Sequence, residues 1–221
     1  MVNDANPLLQ NDSRPIRWWS LAIFAAVAPA LVVAGMRLLP IQDTLSTLAL
    51  FFASAAVAVG CAVAPLGLQA ALSAMGFRRA GWKIVVFGTL GALVVSVAVS
   101  QLGIEPEGVK EALGVAREPG LLAASLLVMA VLAPLAEEAV FRGLLYGWLD
   151  GRWGPTVAWA VSSILFAAAH AEPAHVVLVL PLGLWFGFLR WRSGSLWPSL
   201  AAHVVNNGMA VVAGVFVDAA T

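Results

Sequence analysis

The sequence predicts an all-α fold, a polytopic membrane bundle of about seven transmembrane helices (six to eight) in a single domain. Three observations predict it. Hydrophobic residues make up 61% of the 221 and charged residues 11%, against roughly 45–50% and 25% in a soluble domain. Mean hydropathy is +0.91. Apolar runs of the ~20 residues that a bilayer span requires recur along the chain. The formal net charge is zero, so nothing points to nucleic acid, and the placement of individual charges carries the information instead.

Residues 1–17 form a polar N-terminal tail and 18–217 the transmembrane domain. The first apolar run, about 18–36, contains a small-residue Ala28-Pro29-Ala30 sequence that resembles a cleavage site. It is longer than a signal-peptide core and more spans follow, so it reads as an uncleaved first helix. Further spans are expected near 45–64, 84–102, 121–148, 156–171, 175–189 and 197–217, the fifth and sixth being short. Between the second and third, PLGLQAALSAMGFRRAGWK reads as a short interfacial helix. The polar stretch 103–120 has helical spacing at Val109, Leu113 and Val115 and is expected on the surface.

With the N-terminus inside, Arg14, Arg17, Arg78, Arg79, Lys83, Arg152, Arg190 and Arg192 fall on inner segments, and only Arg37, Lys110 and Arg117 on outer ones. That asymmetry fits the positive-inside rule for an N-in, C-out chain. Cys61 is the single cysteine, which removes intramolecular disulfides and cysteine-ligated zinc from consideration. Gly143-x-x-x-Gly147 and Gly183-x-x-x-Gly187 are spacings for close helix packing.

Against this apolar background, the last hundred residues hold polar and ionisable groups that should be costly at bilayer depth, at least ~2.5–3.5 kcal/mol for a charged side chain on insertion scales. They are Glu137, Glu138 and Arg142 in LAEEAVFRGLLYG, His170 in ILFAAAHAEP, and His203 with Asn207 in PSLAAHVVNNG. On a helix, Glu138 and Arg142 are i and i+4 and share a face. Glu137 points about 100° away, leaving it to face a cavity. Desolvation there makes a carboxylate a better proton acceptor, which suits a general acid or base. Pro134 removes a backbone donor one turn earlier, and the carbonyl it is expected to free is that of Ala130. His203 and Asn207 are again i and i+4, with Asn206 close to the same face. Paired donors aimed into a cavity can stabilise a tetrahedral oxyanion. His175 follows Glu172-Pro173 and is expected on the surface or behind the site. No H-E-x-x-H or G-x-S-x-G occurs, and the aspartates fall in expected tails and loops. Glutamate–histidine chemistry with an amide helper remains.

The motifs Glu137-Glu138-x-x-x-Arg142, Phe166-x-x-x-His170 and His203-x-x-x-Asn207, in that order, resemble the CPBP family of CAAX-processing proteases and bacteriocin-processing enzymes, also called Abi or Rce1-like. The resemblance covers about residues 120–210. It implies an intramembrane endopeptidase acting on a membrane-anchored protein or peptide. In that picture Glu137 activates water together with His170, while His203 and Asn207 form the oxyanion site. Glu138, Arg142, Phe166 and Asn206 shape the pocket. No cofactor is favoured, although Glu137, His170 and His203 could supply a three-ligand zinc site. A non-catalytic Abi-like immunity or scaffold protein, or a small proton-coupled transporter, is the alternative. A transporter should show symmetry between halves, and none is visible. Composition suggests a bacterial inner membrane.

Overall fold

The computed structural model describes residues 15–216, and residues 1–14 of the N-terminal tail, including Arg14, lie outside them. The described residues form helices and no strand. The helices are α1 (Trp18–Leu38), α2 (Thr44–Val63, prolonged by the 3-10 turn Ala64–Leu66), α3 (Leu68–Met75), α4 (Trp82–Ser100) and α5 (Glu107–Arg117). They continue with α6 (Leu122–Trp153), α7 (Pro155–Ala168), α8 (Pro173–Ser193) and α9 (Trp197–Phe216). Six of them, α1, α2, α4, α6, α8 and α9, are long and apolar enough to cross a membrane. The protein is an all-α polytopic membrane bundle.

The expected fifth span, 156–171, is a helix of only 14 residues. It rises about 21 Å, short of the ~30 Å hydrocarbon core. The sixth is not short: α8 runs for 21 residues through Pro181. The stretch 64–83 contains the eight-residue α3, ended by Gly76 at φ 87°. There the Gly76 amide bonds Ser73 and the Phe77 amide bonds Leu72, a Schellman stop that needs the left-handed conformation. The absent Cβ of Gly76 is also where the Arg190 guanidinium sits.

Long α6 is the axis of the bundle, touching α2, α5, α7 and α9. α7 and α8 form a hairpin that packs through the second glycine pair. A Cβ on Gly183 would meet the Phe166 ring at 2.9 Å, and one on Gly187 would collide with the Ser163 hydroxyl. The first pair lets α6 approach α3 and the chain before α1, with Gly143 against Met75 and Gly147 against Ile16 and the Ala74 carbonyl. Both glycine pairs therefore serve close packing, as their spacing predicts.

The amphipathic α5 does not simply lie on the surface. Ala112 and Ala116 are buried, and the helix packs on α9, α6 and α2. It begins at Pro106 without a side-chain cap of its own. Glu172, from the turn between α7 and α8, instead accepts hydrogen bonds from the amides of Glu107 (2.8 Å) and Gly108 (3.3 Å). A carboxylate at a helix N-terminus satisfies free donors and complements the dipole. Thr44 donates to Glu111 at 2.6 Å, and Arg117 donates to the Gly214 carbonyl. The junction AEPAH is thus tethered under α5, with Ala171 still exposed.

The two ends of the bundle differ in charge. Arg17, Arg78, Arg79, Lys83, Arg152 and Arg192 are exposed and belong to the segments at one end. Arg37, Lys110 and Arg117 share the other with Glu105, Glu107, Glu111 and Glu172. Arg190 departs from its expected place on a polar segment. It is buried in the last turn of α8, donates to the Arg142 carbonyl at 3.1 Å and covers the Tyr146 ring at 4.7 Å.

Candidate active site

Helix α6 is not regular where the site is built. Residues Leu126–Leu132 and Ala139–Leu145 are wound as π-helix, with the acidic pair on the α-helical stretch between them. Such segments frequently accompany functional sites. In the first, the Ala133 amide reaches back five residues to the Val128 carbonyl. The next donor in that register would be Pro134, which has no N–H, and its acceptor would be Met129 rather than the expected Ala130. The Met129 carbonyl is met instead by the side-chain amide of Asn207, at 3.2 Å. The π register moves the orphaned acceptor by one residue, and a side chain of α9 fills the vacancy.

Glu138 and Arg142 pair as their spacing predicts. Arg142 Nη1 is 3.3 Å from Glu138 Oε1, and both side chains are fully buried. Arg142 also donates from Nη2 to the Gly183 carbonyl at 2.8 Å and lies 4.2 Å over the Phe166 ring. Ser163 donates to the same carbonyl, so two helices are pinned to a third at one atom.

Glu137 turns the other way, into a cavity, and its side chain is 18% exposed. The sequence offers it no partner in its own helix, and the structure supplies one from α9. His203 Nε2 is 3.4 Å from Glu137 Oε2, while His203 Nδ1 donates to Glu138 Oε1 at 3.0 Å. One imidazole therefore bridges the two acids. Glu138 Oε1 also faces the Arg142 guanidinium, which can only donate, so this oxygen is the acceptor and the proton lies on Nδ1. Phe186 stacks on this ring at 4.6 Å and 20°, a contact the motifs did not announce.

His170 lies just past the end of α7. Its Nδ1 donates to the Phe166 carbonyl at 3.0 Å, since a carbonyl can only accept, and Nε2 is left as the other ring nitrogen. Phe166 stands at the centre, with ring centroids 5.2 Å from His170, 5.7 Å from His203, 5.4 Å from Phe141 and 6.5 Å from Phe186. Asn206 is buried and donates to Asn207 Oδ1 at 3.4 Å.

Glu137, His170, His203, Asn206 and Asn207 all line one cavity of about 380 Å³. Its other walls are apolar: Leu48 and Phe52 from α2, Val109 and Leu113 from α5, Val179, Leu182 and Phe186 from α8, and Val211 from α9. His175, expected on the surface or behind the site, lines it as well. All three histidines of the chain thus open onto a single space. Glu138 and Arg142 are sealed behind it.

The alternative zinc set of Glu137, His170 and His203 can be tested on this geometry. Among the described residues no three His, Cys, Asp or Glu groups stand together to hold a metal ion. His203 Nδ1 is held by Glu138 and His170 Nδ1 by the Phe166 carbonyl, so each ring keeps Nε2 for the cavity, an arrangement that suits a metal-bound imidazole as well as a metal-free one. What the three groups lack, as placed, is the close gathering that a three-ligand site needs.

Residues 119–209 match the family model described as Type II CAAX prenyl endopeptidase Rce1-like. The match contains every residue of the three motifs, so the resemblance they carry is shown over that segment. The chain is also 29% identical over 110 residues to "Putative membrane peptidase YdiL" of Bacillus subtilis, across 50% of this chain and 44% of that protein. It is 33% identical over 85 residues to an uncharacterized 24.3 kDa protein of Escherichia coli, across 36% of this chain and 39% of the relative. The chain thus spans less than half the length of these curated relatives. No solved structure matches it.

Proposed function

We propose that this protein is an intramembrane endopeptidase that hydrolyses a peptide bond of a membrane-anchored protein or peptide. The observation that carries the reading is the convergence of Glu137, His170, His203 and Asn207 on one largely apolar cavity inside a membrane bundle. The match of residues 119–209 to a family of prenyl endopeptidases supports it. Glu137 takes a proton from a water whose oxygen attacks the scissile carbonyl carbon, with the His170 imidazole as second partner of that water. The developing oxyanion meets the second N–H of the Asn207 amide and, when His203 is protonated, its Nε2–H. The proton held by Glu137 then passes to the leaving nitrogen as the C–N bond breaks. Glu138 and Arg142 fix the His203 ring from behind. The reaction uses no bound metal. The basic end of the bundle faces the cytoplasm, as positive-inside asymmetry favours, which puts α5, whose Val109 and Leu113 line the cavity, on the outer side. In a bacterium the membrane would be the inner one.

Two results test this reading. Removing one oxyanion donor costs about 10²–10³ in rate, so Asn207→Ala should keep a weak, measurable activity. A part of its loss reflects the Met129 carbonyl left without a donor. Elemental analysis of purified, active protein, run beside a chelator titration, should find no metal that tracks activity. One equivalent of zinc whose removal abolishes turnover and whose return restores it would overturn the metal-free mechanism.

A further inference from the structure

The sequence HAEPAH places two histidines five residues apart across a turn, and neither the motifs nor the proposed chemistry gives the second one a role. The turn is tightly specified. The amides of His170 and Ala171 bond the carbonyls of Ala167 and Ala168, and the Glu172 amide returns to the His170 carbonyl at 2.6 Å. Ala171 holds φ 60°, in the left-handed region that an L-residue with a Cβ enters only when its surroundings require it. Pro173 then starts α8, and the Glu172 carboxylate ties the turn to α5. This backbone brings the His175 ring to 4.5 Å from that of His170, edge to face at 76°. Phe166 meets the same ring at 5.2 Å and 75°.

We propose that His175 is a positioning residue for His170. Its ring and that of Phe166 form a two-sided aromatic clamp that keeps the His170 imidazole, which lies beyond the last turn of its helix, with Nδ1 on the Phe166 carbonyl and Nε2 available to the cavity. The hydrogen bond alone fixes which nitrogen is protonated but leaves the ring free to swing about it. Two edge-to-face contacts remove that freedom, and such geometry is the one aromatic rings prefer. The clamp acts through shape rather than through a second proton carrier, which accounts for His175 lying against His170 instead of against either glutamate. This role rests on His170 being a catalytic residue of the proposed endopeptidase.

Two variants and two readouts separate the possibilities. His175→Phe keeps an aromatic edge, and His175→Ala removes it. Nitrogen-15 spectra of histidine-labelled protein, assigned by the signal that His170→Asn removes, need no substrate. The parent and His175→Phe should both show His170 as a single Nδ1–H tautomer, and His175→Ala should show it exchanging. In turnover of a cleaved membrane peptide, His175→Ala should lower kcat roughly tenfold to a hundredfold with KM near the parent value, the scale of a misplaced group. His175→Phe should restore most of it. An unchanged His170 signal in His175→Ala would overturn the clamp, and so would a His175→Phe variant as impaired as the alanine one. A rise in KM alone in both variants would overturn it too, by making His175 a substrate contact. If the spectra behave as expected while no peptide is cleaved by the parent protein, the endopeptidase reading fails and the contact of His175 with His170 stands as a structural one.

Discussion

Glu137→Gln should leave the protein folded and its rate of peptide hydrolysis lowered about 10²–10⁴-fold, the usual cost of losing a positioned general base. The structure explains why folding should survive. Glu137 faces the cavity rather than the sealed interior, and its one close polar partner is the His203 imidazole at 3.4 Å. His203 keeps its bond to Glu138 in the variant, and a glutamine amide can either donate to Nε2 or accept from it. Size-exclusion behaviour and melting temperature in detergent, measured beside turnover, check both halves. A variant that is inactive because it does not fold would not support the assignment.

The neighbouring acid should respond in the opposite way. Glu138 and Arg142 are fully buried against each other, and removing one partner of such a pair typically costs about 3–5 kcal/mol because the other charge is stranded. Glu138→Gln leaves the Arg142 guanidinium without its carboxylate, and His203 Nδ1 with a weaker acceptor. Arg142→Ala strands Glu138, frees the Gly183 carbonyl of one donor and empties the space over Phe166. Folded yield and thermal midpoint should fall sharply in each. Replacing both residues with apolar side chains of similar volume should recover much of that stability without recovering activity, since paired removal leaves no uncompensated charge. Single variants as stable as the parent would contradict the structural role given to this pair.

Much of this arrangement is legible in the chain itself, for physical reasons. Apolar run length reports membrane helices, and the i, i+4 spacing of Glu138 and Arg142 predicts a contact because both ends lie on one helix face. Glu137, His170, His203 and Asn207 stand out as candidates because polar groups are rare at such depth. What could not be read depends on register and on distant contacts. A π turn adds a residue to the helical period, so an argument from 3.6 residues per turn names Ala130 where the acceptor is Met129. The bridging of both glutamates by His203 brings α6 and α9 together over a separation of 65 residues, and no local pattern encodes it. Sequence neighbours, a turn and a basic segment, place His175 on the surface or behind the site and Arg190 on a polar segment. The hairpin of α7 and α8 turns one into the cavity and buries the other. Helix α5 shows an apolar spacing that predicts a helix but not what it covers. Its place over the cavity follows from the Glu172 carboxylate at its N-terminus and from Leu113 filling the space beside Gly214.

The central claim is that Glu137 directs a water onto a peptide bond within this cavity. Its most direct test is hydrolysis of an apolar peptide library by purified protein in liposomes, carried out in oxygen-18 water and read by mass spectrometry. The account predicts products whose new C-terminal carboxylate carries one oxygen-18, formed by the parent and reduced at least a hundredfold in Glu137→Gln and in His170→Ala. Cleavage at the parent rate by either variant, or products without the label, would contradict it.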